Sequence, residues 1–468
     1  MTTDSNDQDL RARTADGMRA LAHWAASPDA RRLPATVRRR AALILLDDLG
    51  AIVAGAVEPQ VGTARAGFVR TAGAAEATVF APDGPRLDRY SAAGANGLAA
   101  AWCELDEGYR AIPCHAGAYL LAAVLAEAEA GGATTADVLD AIVIAYEITV
   151  RIAHAFPFAP LNVHPHAAFA TIGAAAGAAV ARRLDAAQLL SAVTGAASMS
   201  FAGPFNHAPK GALIRNAWTS AGAWIGLRAA DWAEGGIGGL PETPYDVFAV
   251  CFGTAALPGL LTEGLGAEWG VANGYHKIFA CCQYAHSTVE ASLKLHERLR
   301  ATRDAGELSE IVVETHPLGL TLTTVEPETV LAAKFSMPHA AAAVARLGTG
   351  GQTAFSSTAL HDPAIADLRR RVRLVPIASI GAPPNDRPAR VTWRFRDGTA
   401  WSESCDSARG GADQPFDDAT LLAKLSENTA AVFPAMRGCL EAILAADRDA
   451  LGRGWAETVR MMTNEETA

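Results

Sequence analysis

No apolar run in the 468-residue chain is long enough to span a bilayer. The start, MTTDSNDQDLRAR, is polar and acidic and lacks the basic-then-apolar pattern of a signal peptide, so the chain is expected to be cytoplasmic. Seven cysteines, an odd number at irregular spacing in a long chain, do not form a disulfide framework. Cys103, Cys114, Cys281 and Cys282 are expected as reduced thiols near a site. Basic residues are outnumbered, 40 against 50, and the longest like-charge run is Arg38 to Arg40. That balance argues against nucleic acid or an anionic membrane as a partner. The sequence has no GxGxxG after a strand, no Walker A loop and no GxSxG elbow, so neither a nucleotide cofactor nor a serine nucleophile is indicated. His164 with His166, and Cys281 and Cys282 with His286, lack the partner pairs of a zinc site, so no metal is expected.

Half of the residues are apolar, and the length exceeds what one core usually organises. Residues 15–265 read as Ala-, Leu- and Gly-rich helices with no convincing strand, a composition suited to close helix packing. The pattern then changes. ELSEIVVETHP alternates, RRVRLVPI is strand-like, and ARVTWRF with TAWSES reads as a hairpin, while STVEASLKLHERL and SMPHAAAAVARLG read as helices. The expected architecture is mainly α: a large all-helical domain (1–267), a smaller α+β lid (268–405), and C-terminal helices (406–468) returning to the helical domain.

Basic side chains stand at four places where small-residue helices are expected to begin: His115, His164 with His166, Lys210 and His286. A helix N-terminus favours anions, and a neighbouring cation reinforces that field. Ser287 and Glu290 have the spacing of a capping box. Between helices, CELDEGYRAIPCHAG gathers Glu104, Asp106, Glu107, Tyr109, Arg110 and His115. Carboxylates beside a histidine orient its ring and raise its basicity, as a general base requires. GYHKIFACCQYAHS brings Tyr275, His276, Lys277, Gln283, Tyr284 and His286 to the expected domain junction, a favoured binding position. Asn206 and His207, just before Lys210, join Tyr109, His166 and Gln283 as candidate substrate-binding residues. Phe201, Phe205, Trp218 and Phe279 are either core or the wall of a pocket for a larger substrate.

Six stretches in order, ILLDDLGAIVAGA, ELDEGYRAIPCHAG, VHPHAAFATIGAAAGAA, KGALIRNAWTSAGAW, GYHKIFACCQYAH and AKFSMPHAAAA, resemble the MmgE/PrpD family over nearly the whole chain. That family includes 2-methylcitrate dehydratase, cis-aconitate decarboxylase and iminodisuccinate epimerase. The resemblance implies a helical domain with an α+β lid, a site between them, a homodimer, and proton transfer next to a carboxylate without metal or organic cofactor. It also implies roles: His115 for proton transfer, Asp106 and Glu104 as its acidic partners, and Lys210 and Lys277 on substrate carboxylates; His164 matches the histidine that opens the Ala-rich helix and is expected to join the two lysines there. His339 falls where a tyrosine is common, and His286 or His339 is then the candidate acid. The chain departs from the family pattern at Glu107, Ala116, Phe279-Ala280 and His339. The expected reaction is elimination, as dehydratase or decarboxylase. The alternatives are epimerisation of a polycarboxylate, a specialised biosynthetic reaction on a larger substrate, and a non-catalytic helical scaffold.

Overall fold

A computed structural model describes residues 2–464. The helix Pro165–Ala181 is Ala-rich, opens on a proline at its first position, and is buried on all sides from Pro165 to Val180. A helix apolar all round belongs inside a core. Around it pack Ala116–Gly131, Thr135–Ala155, Ala186–Ala197 and Ile214–Glu234. Small residues set these spacings: a Cβ on Gly226 would lie 2.4 Å from the Ala174 Cβ. The helices begin where short polar side chains cap them, as Thr134 with Asp137 and Asp185 with Gln188 form capping boxes. Among the described residues no helix is long and apolar enough to cross a membrane.

The second region carries a four-stranded sheet in the order Val372–Pro376, Leu308–Thr315, Ala389–Phe395, Ala400–Cys405. The first pair is parallel and the other two antiparallel. Ala389–Phe395 alternates buried and exposed side chains, which fixes which face meets the core. The helices His286–Leu299 and Met337–Leu347 pack against one another, the first also against the hairpin strands. The chain is thus mainly helical with a small α+β region, as the sequence indicates.

The C-terminal helix Asp418–Thr429 packs on Ala35–Ala56, and Trp455–Thr463 packs on Ala116–Gly131. Backbone bonds from Trp455 N to Ala133 O (2.7 Å) and from Thr135 N to Arg453 O (2.9 Å) tie the last helix down.

Three features differ from the sequence reading. Short strands do occur in the helical region: Ala77–Thr78 pairs with Arg86–Leu87, and Gly108–Tyr109 pairs with Gly274–Tyr275. The helix after Lys210 begins only at Ile214, because Gly211 turns the chain with φ +73°. His286 is itself the first helical residue, and no capping box forms there. Ser287 instead donates to the Arg387 carbonyl (2.6 Å), and Glu290 accepts from the Arg409 N–H (2.8 Å).

Candidate active site

The two-residue ladder between Gly108–Tyr109 and Gly274–Tyr275 joins the acidic loop to the segment bearing Lys277. The Tyr275 ring lies directly against Gly108, where a Cβ would come 2.5 Å from the ring, so only glycine lets the two segments meet. Within the loop Glu104 takes φ +55°, a left-handed conformation costly for a side chain of this kind.

Where these segments meet, a pocket is lined by Glu104, Tyr109, Cys114, His115, His164, Phe205, Arg215, Tyr275, Cys282, Gln283, Tyr284, Phe335 and Arg387, among others. It encloses about 50 Å³. A larger cleft of about 640 Å³ lies elsewhere on the helical region, but Glu127 there is clamped between Arg89 and Arg182, and no histidine lines it. Its other carboxylates are likewise paired with arginines, Glu76 with Arg89, Asp137 with Arg183, and Asp231 and Glu234 with Arg182.

His115 precedes the helix Ala116–Gly131 and makes no capping bond. Its Nδ1 is 2.7 Å from Asp106 Oδ2. With Nδ1–H donating to the carboxylate, the lone pair is left on Nε2 of a ring that lines the pocket. Burial alone would raise the Asp106 carboxyl, but Lys277 and His115 beside it hold it well below the usual carboxylate range. Lys277 Nζ lies 3.3 Å from Asp106 and 3.9 Å from Glu104. Burial lowers its affinity for the proton, and these two carboxylates more than restore it, so Lys277 stays an ammonium.

His164 caps Pro165–Ala181 with its own ring, whose Nδ1 faces the His166 N–H at 3.1 Å. Its Nε2 faces Arg215 Nε at 3.2 Å. Burial and the Arg215 charge push the His164 ring far below its ordinary range, and the same causes act on His166. Both are therefore neutral imidazoles, not cations. His166 sits behind the wall, accepting or donating with Tyr119 OH at 3.0 Å and meeting the His115 ring edge-on at 5.0 Å. Phe205 stacks on His164 at 5.7 Å.

Of the residues singled out from sequence, His115, Glu104, His164, Tyr109 and Gln283 line the pocket, with Asp106, Lys277 and His166 directly behind them. Five do not join. Lys210 and Asn206 are exposed, and Lys210 is not at a helix N-terminus because the helix starts four residues later. His207 lies against Trp218 at 5.8 Å, outside the lining. His286 is buried behind Phe279 with Nε2 3.1 Å from the Cys281 carbonyl, and burial with the Lys277 charge takes it down to about 3. His339 lies in the α+β region with both ring nitrogens engaged, Nε2 with Ala354 O (2.8 Å) and Nδ1 with Arg369 (3.1 Å).

Two arginines not singled out from sequence complete the wall. Arg215, near the true start of Ile214–Glu234, is fully buried and lies 2.5 Å from Glu104 Oε1, off the ideal hydrogen-bond direction. Arg387, 8% exposed, enters from the loop preceding Ala389–Phe395. The helix-start pattern singled out Lys210, whereas the cation in the pocket wall is Arg215, five residues further on. Nothing local marks Arg387.

A histidine, a carboxylate and a lysine thus meet at a pocket between the helical region and the α+β region. The MmgE/PrpD N-terminal domain matches residues 19–256 and the MmgE/PrpD C-terminal domain matches residues 279–448, and the chain belongs to this family. It is similar to cis-aconitate decarboxylase of Aspergillus terreus (strain NIH 2624 / FGSC A1156), 28% identical over 331 residues, which are 66% of each chain. A second cis-aconitate decarboxylase from Aspergillus terreus is 27% identical over 310 residues, 62% of each chain. The chain thus spans just under two thirds of the length of the curated relatives it matches.

Proposed function

We propose that the protein is a lyase that removes a proton next to a substrate carboxylate and eliminates a neighbouring group. The observation that carries this reading is the His115–Asp106–Lys277 arrangement at the pocket. His115 Nε2 takes the proton, while Asp106 holds the ring and stabilises the imidazolium that forms. Lys277 and Arg215 supply positive charge already in place when the carbanion develops, which costs no reorganisation at that moment. Burial takes the Tyr109 phenol up to about 12, so it stays protonated, its hydroxyl 3.1 Å from His154 Nε2.

Elimination is favoured over epimerisation by the positions of the remaining histidines. Epimerisation needs a second base on the opposite face, and His286 and His339 do not reach the pocket. His164 does, but its Nε2 faces the Arg215 guanidinium. The enclosed volume of about 50 Å³ is well below the ~300 Å³ of ordinary ligand sites, so this reading requires the pocket to open for substrate.

The family resemblance supports a homodimer, and the structure offers a face for it. Ile214, Ala221, Trp224 and Trp232 fall within one exposed arc of Ile214–Glu234, with Ile237 and Leu240 exposed beyond it. Exposed apolar side chains grouped on one helix face in this way suit contact with a second copy.

The test is proton NMR of the full-length protein in D₂O with a panel of carboxylic acids that includes 2-methylcitrate, cis-aconitate and iminodisuccinate. A new vinyl signal or release of CO₂ supports the lyase. Deuterium entering an unchanged skeleton, with no product, would replace it with an epimerase.

A further inference from the structure

Behind the pocket, two buried carboxyls have no cation of their own. Asp47 has a partner on each oxygen, Lys424 on Oδ1 and His276 on Oδ2, and Asp106 likewise meets Lys277 and His115. Asp48 and Glu107 are as deeply buried and are not served in this way. Asp48 Oδ1 accepts from the Glu107 N–H at 2.6 Å, and Glu107 Oε1 accepts from the Tyr146 hydroxyl at 2.6 Å. Asp48 Oδ2 and Glu107 Oε2 have no partner. The basic side chains nearby are committed elsewhere: Lys277 to Asp106 and Glu104, Lys424 to Asp47, and Arg40 to the Val271 and Gly274 carbonyls at 3.2 and 3.0 Å. One oxygen accepting and the other without a donor is the pattern of a carboxylic acid, whereas a buried carboxylate calls for donors on both.

Glu107 also stands at a junction. Its backbone follows Asp106 directly, and its Oε1 fills the space that a Cβ on Gly274 would need, in the segment that leads to Lys277. The bond from Tyr146 fastens this junction to the helix Thr135–Ala155, while Arg40 holds the same Gly274 by its carbonyl. Facing Glu107 are Asp47, Asp48 and Arg40 from Ala35–Ala56, Tyr146 from Thr135–Ala155, and Cys114 from its own loop. Burial and the neighbouring Asp48 both raise its carboxyl well above the ordinary range.

We propose that Glu107 is a neutral carboxylic acid in the working protein and acts as a positioning residue, holding the acidic loop against the Lys277 segment so that His115, Asp106 and Lys277 keep one arrangement. Glu107 does not line the pocket, so it works through these three rather than on substrate. Ionised, it would set an unpaired charge beside Asp48 and force apart the segments it joins. The positioning role rests on the lyase reading, whereas the neutral acid stands apart from it.

Two measurements on the full-length protein test this. Above the ordinary glutamate value of 4.5 the unfolded chain releases a proton that the folded chain keeps, so rising pH favours unfolding of the unmodified protein. Glu107→Gln cannot ionise and escapes that effect. In urea unfolding, the unfolding constant of the unmodified protein relative to Glu107→Gln should therefore rise about tenfold from pH 5.5 to pH 6.5. A constant ratio means an ionised Glu107 and overturns the proposal. Should Glu107→Gln not fold, the infrared band of a protonated carboxyl, shifted by ¹³C-labelled glutamate and lost in Glu107→Asp, takes its place, and absence of the band is the overturning result. The second measurement is turnover of the acid that the D₂O panel identifies. Glu107→Asp keeps a carboxyl but is one methylene short of Tyr146, and it should lower kcat at least about tenfold with KM changed less than about threefold. Glu107→Gln keeps the reach and should recover most of that loss. A Gln variant no faster than the Asp variant would end the positioning role. A tenfold pH effect with no acid turned over would sink the lyase and the positioning with it, leaving the neutral acid, whereas turnover with a flat pH ratio would sink this proposal and leave the lyase.

Discussion

His115 Nδ1 and Asp106 Oδ2 are 2.7 Å apart although nine residues separate them, because the ladder of Gly108–Tyr109 on Gly274–Tyr275 folds the intervening loop back on itself. Tyr109 N also donates to the Cys114 carbonyl at 2.7 Å, closing the loop from the other side. The pair is therefore held by backbone, and a change of side chain alone can test its chemistry.

Asp106→Asn keeps the shape but removes the charge that stabilises the imidazolium. The expected outcome is a fall in kcat of at least ~100-fold with a near-native circular dichroism spectrum. His115→Asn should match it, and the double variant should lose little more, since the two act as one unit. Additive losses in steady-state kinetics would dissociate them.

Buried histidines make stability depend on pH in a defined direction. Burial takes His339 down to about 4, against an ordinary value of 6.5. Between those values the unfolded chain binds a proton that the folded chain refuses. The His339 contribution is thus intact above pH 6.5 and is lost as pH falls towards 4, at about 1.4 kcal/mol per pH unit. Asp48 and Glu107, raised by burial and by neighbouring carboxylates, act in the opposite sense, so the absolute slope is a sum. The variant comparison isolates the histidine: the stability gap between His339→Asn and the unmodified protein should change by about 2 kcal/mol between pH 6.5 and pH 5, in favour of the variant. Urea unfolding at the two pH values measures it, and a constant gap would contradict the account.

The exposed arc of Ile214, Ala221, Trp224 and Trp232 predicts its own disruption. Trp224→Glu puts a charge into that face and should shift the protein from dimer to monomer in light scattering. A monomer before mutation, or a dimer after it, would place the contact elsewhere.

The fold was legible where sequence period and structure share a length scale. The helices around Pro165–Ala181 and the strands Leu308–Thr315 and Ala389–Phe395 are long enough for their patterns to repeat. Gly108–Tyr109 is too short for any alternation, and its partner lies 165 residues on, so only tertiary contact creates it. The acidic loop announced itself because Glu104, Asp106 and His115 crowd one segment of an apolar region. Lys210 misled because a basic residue near a helix start is visible in sequence, whereas the exact first turn, at Ile214, depends on Gly211 and its left-handed φ. Arg387 was invisible because it reaches the pocket from a loop that no local pattern connects to it.

Lys424 links the C-terminal helix to the site from behind. Its ammonium donates to Asp47 Oδ1 at 2.5 Å and to the Leu105 carbonyl at 2.6 Å, next to Asp106. Asp47 Oδ2 in turn lies 2.9 Å from His276 Nδ1, next to Lys277. One buried cation thus braces both segments that carry the proposed chemistry, and its neighbours on each side are the residues whose separation must be exact. Lys424→Met fills the same space but leaves Asp47 buried with His276 alone, a neutral ring whose affinity for the proton burial lowers. Removing one partner of a buried pair costs about 3–5 kcal/mol, so the melting temperature should drop sharply. The additional expectation is a fall in kcat in the fraction that remains folded at low temperature, because Asp106 and Lys277 are no longer held in register. Arginine at this position keeps the charge but not the geometry and should recover stability more than turnover. If Lys424→Arg recovers both equally, the residue is a structural brace with no bearing on how the base and the lysine are aligned.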